Sequence, residues 1–230
     1  MTDSSIPVFK AVLFDLDGTV LDTAPDIISA CRQTLSHFGY KCPDDTVLMT
    51  KVTSGMREMM KLGVPKEEWD RAPIETTMRS FFADFYTANI RIKTRPFAGV
   101  EELIKKLADN HVKTAIITNK YKKMADKLLG GFNFAESFSL VLGCDSLRHS
   151  KPHPEPLLKA MKELDVSPEC TLYVGDHIND IRAAKAALCR SCVALWGYGA
   201  GECGDPLSWG ADFYASDIDQ LERFCFESQY

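Results

Sequence analysis

Val12-Leu13-Phe14-Asp15-Leu16-Asp17-Gly18-Thr19-Val20-Leu21-Asp22 is the stretch that decides the fold. An apolar strand runs into two carboxylates at i and i+2, which a strand projects on the same side. Gly18 then permits a tight turn at the carboxyl edge of the sheet, where open α/β sheets bind their ligands. Two crowded like charges raise one another's pKa, so a bare pair is costly and a bound divalent cation relieves it. Mg²⁺ suits such a place, because it takes oxygen ligands and usually only one or two carboxylates plus substrate phosphate.

Outward from this strand, short apolar runs rich in β-branched residues recur at 112–118, 138–142, 171–174, 191–195 and 211–214, and the first run reaches back to residue 8. Runs of this kind read as strands buried on both faces. Amphipathic stretches at 100–110, 122–129, 154–164, 180–188 and 217–226 alternate with them. Alternation of this kind is the signature of an α/β fold, here expected as a Rossmann-like, doubly wound parallel sheet flanked by helices. Residues 23–93 break the rhythm. They show helical periodicity (Ile27, Cys31, Leu35 and Phe38; Met56, Met59 and Met60; Met78, Phe81, Phe82 and Phe85) without a convincing strand, and Arg95-Pro96-Phe97-Ala98-Gly99 closes the segment with turn residues. The expectation is a core of 1–22 and 94–230 with a small helical insert at 23–93. Its Met and Phe stripes read first as core and second as a pocket lining.

Composition narrows the function classes. The chain has 230 residues, 45% hydrophobic and 26% charged, close to the averages of globular chains. A net charge of −5 supplies no general positive field for nucleic acid or an anionic membrane, so an anionic ligand needs a local site. No window reaches the roughly 18 apolar residues of a membrane-spanning helix. The polar N-terminus lacks the basic and apolar regions of a signal peptide, and the expected location is the cytoplasm. Eight scattered cysteines fit reduced thiols, and the Cys189/Cys192 pair reads as packed thiols rather than a zinc or redox site.

Three further pieces fall at expected strand ends or on a loop: Thr118-Asn119-Lys120, Lys151-Pro152, and Gly175-Asp176 with Asp180 four residues on. Hydroxyl and amide donors with a lysine hold and neutralise the equatorial oxygens of a transferring phosphoryl group, while added carboxylates complete a metal site.

In this order the four pieces resemble the motifs of the haloacid-dehalogenase-like phosphatase superfamily, and residues 118–120, 151–158 and 174–187 look most like the phosphoglycolate phosphatases within it. The resemblance covers nearly the whole chain and sets the insert in the position of that family's cap. It implies that Asp15 is a nucleophile forming an aspartyl-phosphate and that Asp17 is the acid and base. It places Mg²⁺ on Asp15, Asp17 (through its backbone carbonyl), Asp176 and Asp180. Thr118 and Lys151 join the catalytic set by holding phosphoryl oxygens, and Leu16, Gly18, Ser54, Gly55, Arg57 and Asn119 form the expected substrate-binding set. The implied partner is a small phosphorylated metabolite, with no nucleic acid and no membrane, bound by a monomer or homodimer.

Two departures stand out. Leu188 occupies the position where relatives carry a helix-ending glycine, and a left-handed conformation costs a leucine about 1 kcal/mol or more. Thr53-Ser54-Gly55-Met56-Arg57 resembles the family's substrate loop only loosely. Arg57 reads either as a bidentate ligand for a substrate carboxylate or as a solvated surface residue. Gly199-Ala200-Gly201-Glu202-Cys203-Gly204 matches a dinucleotide fingerprint, but Asp205-Pro206 interrupts the helix that such a site needs. His149, His153 and His177 flank the expected site with a donor that Mg²⁺ does not favour. The competing activities on this scaffold are a sugar-phosphate phosphatase, a phosphomutase, a phosphonatase or a non-catalytic phosphate-binding protein.

Overall fold

A computed structural model describes residues 8–227. The segment 1–7, on which the absence of a signal peptide was read, and residues 228–230 lie outside the described residues.

Eight strands, β1 (Ala11–Phe14), β2 (Leu21–Asp22), β3 (Arg95–Pro96), β4 (Lys113–Ile117), β5 (Phe138–Leu142), β6 (Thr171–Gly175), β7 (Arg190–Ala194) and β8 (Phe213–Ala215), form two sheets. The larger is six-stranded, in the order β5-β4-β1-β6-β7-β8, and every pairing in it is parallel. This is the expected α/β architecture. Its strands read as unbroken apolar runs because both faces are covered. Val12 and Phe14 of β1, Ile116 of β4 and Leu172 and Val174 of β6 pack into one core. The alternate residues Ala11, Leu13, Ala115, Ile117 and Tyr173 pack into a second core on the other face. The chain winds from β1 outward to β4 and β5 on one side, then returns to β6, β7 and β8 on the other. The carboxyl end of β1 is therefore the switch point, where such sheets leave a crevice.

Among the described residues there are ten α-helices: α1 (Ala24–His37), α2 (Asp45–Met49), α3 (Met56–Lys61), α4 (Arg79–Ala88), α5 (Val100–Asp109), α6 (Lys122–Leu129), α7 (Glu155–Glu163), α8 (Ile178–Ala186), the single turn α9 (Ala200–Cys203) and α10 (Ile218–Phe226). The first four lie in the expected insert, where Cys31, Leu35, Met59, Met60, Met78 and Phe82 are buried together. Its neck is a detail that periodicity did not show. The two-residue strands β2 and β3 pair antiparallel, Leu21 with Pro96 and Asp22 with Arg95, so the chain leaves and re-enters the core side by side. Asp26 of α1 clamps this neck. It is buried and accepts from Lys93 N (2.9 and 3.1 Å), Thr94 N (2.9 Å) and Thr94 Oγ1 (2.7 Å).

Boundaries shift at the starts of β1 and α8. β1 starts at Ala11 rather than Val8, whose side chain is exposed. α8 starts at Ile178 rather than Asp180, because His177 caps it and Asp180 closes a reciprocal bond onto the cap. After α8, Leu188 adopts φ 60° with its side chain 80% exposed, the strained position expected from the missing glycine. The glycine-rich segment after β7 makes only the turn α9 before Pro206, so no helix follows to hold a dinucleotide.

Candidate active site

β1 delivers Asp15 and Asp17 to the switch point, and the turn behind them fixes their direction. The carbonyl of Leu16 accepts from Val20 N and Leu21 N, both at 3.0 Å. Gly18 makes the turn possible: its φ is +78°, and a Cβ there would lie 2.4 Å from Asp176 Oδ2. Leu16 N donates to Asp15 Oδ1 at 2.7 Å, and Lys151 Nζ lies 3.0 Å from the same oxygen. Both donors thus hold Oδ1 while Asp15 faces the crevice.

Lys151 reaches the site from the loop before α7 and is buried. Its ammonium meets Asp180 Oδ1 at 2.7 Å and donates to the Tyr173 hydroxyl at 2.7 Å, which donates in turn to the carbonyl of Ile117 at 2.8 Å. Burial alone would pull this ammonium down, but Asp15 and Asp180 outweigh it and hold it above its usual range. Thr118 follows β4 and is buried. Asn119 braces the lysine loop, Nδ2 to the carbonyl of Lys151 at 3.0 Å.

Asp176 directly follows β6 and is walled in by the loop after β7. Its Oδ2 accepts from Tyr198 N at 2.7 Å and Gly199 N at 3.3 Å, and its Oδ1 from Thr19 Oγ1 at 3.2 Å. A Cβ on Gly197 would lie 2.6 Å from Asp176 Oδ2 and one on Gly199 1.9 Å from the Asp176 carbonyl oxygen, so these two glycines let the loop close on Asp176. Oxygens of Asp15, Asp176 and Asp180 lie within 4.8 Å of one another. Burial pushes Asp176 up to about 8, with the charges of Asp15 and Asp180 adding to it. Burial likewise raises Asp15 to about 6, against the pull of Lys151 and with the push of Asp180 and Asp17. Three buried carboxylates against one ammonium leave a deficit of positive charge. The donors are all oxygen, so the cluster fits a hard divalent cation.

Asp17 has different neighbours. Thr23 Oγ1 donates to its Oδ1 at 2.6 Å, and Lys120 Nζ lies 3.0 Å from that oxygen with only 8% of its side chain exposed. The two carboxylates of the first motif therefore belong to separate networks, Asp15 with Lys151 and Asp17 with Lys120 and Thr23.

These groups line a cavity of ≈ 530 Å³ whose far wall comes from the insert. Asp15, Asp17, Ser54, Gly55, Arg57, Thr118, Asn119, Lys151, Asp176 and Asp180 all border it. Leu16 and Gly18 do not: the Leu16 side chain is buried in the core and its amide is spent on Asp15. Arg57 borders the cavity already engaged, its Nε 2.7 Å from Glu75 Oε1, with over half of its side chain exposed. Sequence reading missed Thr19, Thr23, Lys120, Tyr173 and Tyr198 as parts of this network. Thr19 and Thr23 sit beside the first motif and Lys120 beside Thr118, whereas no local signal marks the two tyrosines.

The histidines take other work. His177 Nδ1 accepts from Asn179 N at 3.1 Å, which leaves the proton of a neutral ring on Nε2, 3.0 Å from Cys203 Sγ. It caps α8. His149 and His153 stack at 4.2 Å on the exposed loop beside Lys151. Cys189 and Cys192 are free, buried thiols whose burial pushes their pKa values up.

Comparison with known proteins agrees with this geometry. Residues 12–194 match the family model described as haloacid dehalogenase-like hydrolase. The chain is 38% identical over 212 residues to a phosphoglycolate phosphatase of Xanthomonas campestris pv. campestris, covering 92% of this chain and 94% of that one. It is 32% identical over 214 residues to an N-acetylmuramic acid 6-phosphate phosphatase of Pseudomonas putida, covering 93% and 95%. A crystal structure described as a predicted phosphoglycolate phosphatase from Haemophilus somnus superposes with a TM-score of 0.79 at 26% identity, covering 93% of this chain and 96% of that one. The fold, the family match and the similarity to these phosphatases establish that the chain belongs to the haloacid dehalogenase-like hydrolases and is a phosphoric monoester hydrolase.

Proposed function

We propose that this phosphatase hydrolyses a small phosphomonoester, with 2-phosphoglycolate the favoured substrate, through an aspartyl-phosphate on Asp15 and with Mg²⁺ as cofactor. The observation that carries the reading is the arrangement of Asp15: both hydrogen bonds to its carboxylate fall on Oδ1, so Oδ2 is the oxygen without a donor, at the edge of a cavity. The similarity to the Xanthomonas phosphoglycolate phosphatase supports the substrate.

In this reading Asp15 Oδ2 attacks phosphorus in line with the departing alkoxide, and Lys151 and Thr118 hold the equatorial oxygens. Asp17 gives a proton to the alkoxide, then takes one from the water that opens the acyl-phosphate. Asp15, Asp176, Asp180 and the backbone carbonyl of Asp17 would hold Mg²⁺, which neutralises charge on the phosphoryl oxygens and the carboxylate cluster. Thr23 and Lys120 hold Asp17 in place, apart from the Lys151 network. Residues 23–93 act as a cap that excludes bulk water and reads the leaving group.

A sugar-phosphate substrate is the second reading. The N-acetylmuramic acid 6-phosphate phosphatase similarity and a cavity of ≈ 530 Å³, ample for more than a two-carbon acid, favour it. Phosphate release from a panel of both ester types, with Mg²⁺ or chelator, decides between them. One ester dominating by orders of magnitude in kcat/KM names the substrate, and no release from any ester by folded protein contradicts the proposal.

A further inference from the structure

Among the described residues, two buried side-chain oxygens have no hydrogen-bond partner, the hydroxyls of Ser54 and Tyr86, and both residues border the same cavity. Such groups are rare because an unpaired buried donor forfeits its bonds to water without replacement. Tyr86 is the sharper case. It lies on α4 of the insert with only 2% of its surface exposed. Lys120 Nζ sits over its ring, 4.7 Å from the centroid, and reaches past it to Asp17. The ring is therefore fixed beside the carboxylate that meets the leaving group, while its hydroxyl waits for an acceptor. Burial pushes the phenol up to about 12 against the pull of the Lys120 ammonium, which can only donate toward it, so the hydroxyl proton still lacks an acceptor.

We propose that Tyr86 is a specificity-determining residue whose hydroxyl donates to an oxygen on the alcohol portion of the substrate, with Ser54 Oγ contacting the same portion from the 52–54 turn. The substrate class is a phosphomonoester whose alcohol carries a carboxylate or hydroxyl oxygen, preferred over esters of purely apolar alcohols. Arg57 borders the same cavity in an exposed pair with Glu75 and is not part of this assignment. The inference rests on the phosphatase reading of the cavity and adds the group that reads the leaving alcohol.

The test compares wild-type enzyme and Tyr86→Phe on 2-phosphoglycolate, N-acetylmuramic acid 6-phosphate and phenyl phosphate, and measures Tm without substrate. Losing one buried hydrogen bond should lower kcat/KM on the better of the two oxygen-bearing esters by about 10- to 100-fold. That loss should exceed the loss on phenyl phosphate at least tenfold, and Tm should stay level or rise, because phenylalanine removes an unpaired polar atom. Equal losses on all esters, no loss on any, or a lowered Tm would overturn the assignment; the last would mean that the hydroxyl is already bonded in the free protein. Wild-type enzyme inert on all three esters, though folded, would contradict the phosphatase reading itself, and the assignment with it.

Discussion

Lys151 and Asp15 form a buried ion pair, Nζ to Oδ1 3.0 Å, and the same ammonium holds Asp180 at 2.7 Å. One cation on a loop thus ties the end of β1 to the first turn of α8. Replacing it removes the charge expected to face the phosphoryl group and leaves two carboxylates unpaired. Lys151→Ala should lower kcat/KM by about 10²–10³-fold, the usual cost of losing one preorganised charge at a reacting centre. Lys151→Arg should not rescue it, because the pocket against Tyr173 is shaped for a compact ammonium. Steady-state kinetics, with circular dichroism to confirm folding, checks both.

The carboxylate cluster predicts a metal response that needs no turnover to detect. At a concentration of Mg²⁺ about 100 times Kd the folded state gains about 2.7 kcal/mol, so Tm should rise on adding Mg²⁺ and fall back with chelator. Asp176→Asn should abolish most of that shift. A rise of equal size in the variant would place the ion elsewhere.

Asp26 predicts where stability is concentrated. Four hydrogen bonds from Lys93 and Thr94 end on this one buried carboxylate. Asp26→Ala strands their donors, and a loss of about 3 kcal/mol is expected from unsatisfied buried groups. Asp26→Asn, which keeps one acceptor oxygen, should fall between. Urea denaturation of the three proteins measures the order.

How far the sequence could be read follows from the range over which each feature is determined. β1, the Asp15/Asp17 pair and the turn at Gly18 are local, so adjacent residues suffice to infer them. Lys151 and Asp176 were legible because each stands at the end of its own strand or loop, in an order that a family shares. Arg57 was read both as a carboxylate ligand and as a solvated surface residue, and its pairing with Glu75 was not legible because the two lie 18 residues apart on different elements. Tyr86 and Tyr198 belong to the site through packing alone, and β2 and β3 are too short to show any period. Leu188 was legible as a strained position because helix ends obey local rules.

That strain gives a stabilising variant. Leu188→Gly should relieve about 1 kcal/mol of left-handed strain, which in a chain of this size raises Tm by roughly 2–4 °C. Leu188 is far exposed and absent from the cavity wall, so kcat/KM should not move. Calorimetry alongside the phosphate-release assay checks the pair of outcomes.

Trapping the intermediate decides whether Asp15 is the nucleophile. The enzyme is acid-quenched during turnover of 2-phosphoglycolate, or of N-acetylmuramic acid 6-phosphate if that ester is the better substrate. It is then treated with borohydride, which reduces an acyl-phosphate to an alcohol, and its peptides are analysed by mass spectrometry. Homoserine is expected at position 15 and nowhere else, and none when substrate is omitted or in Asp15→Asn. Full turnover with position 15 unmodified, or reduction at a different carboxylate, would contradict it.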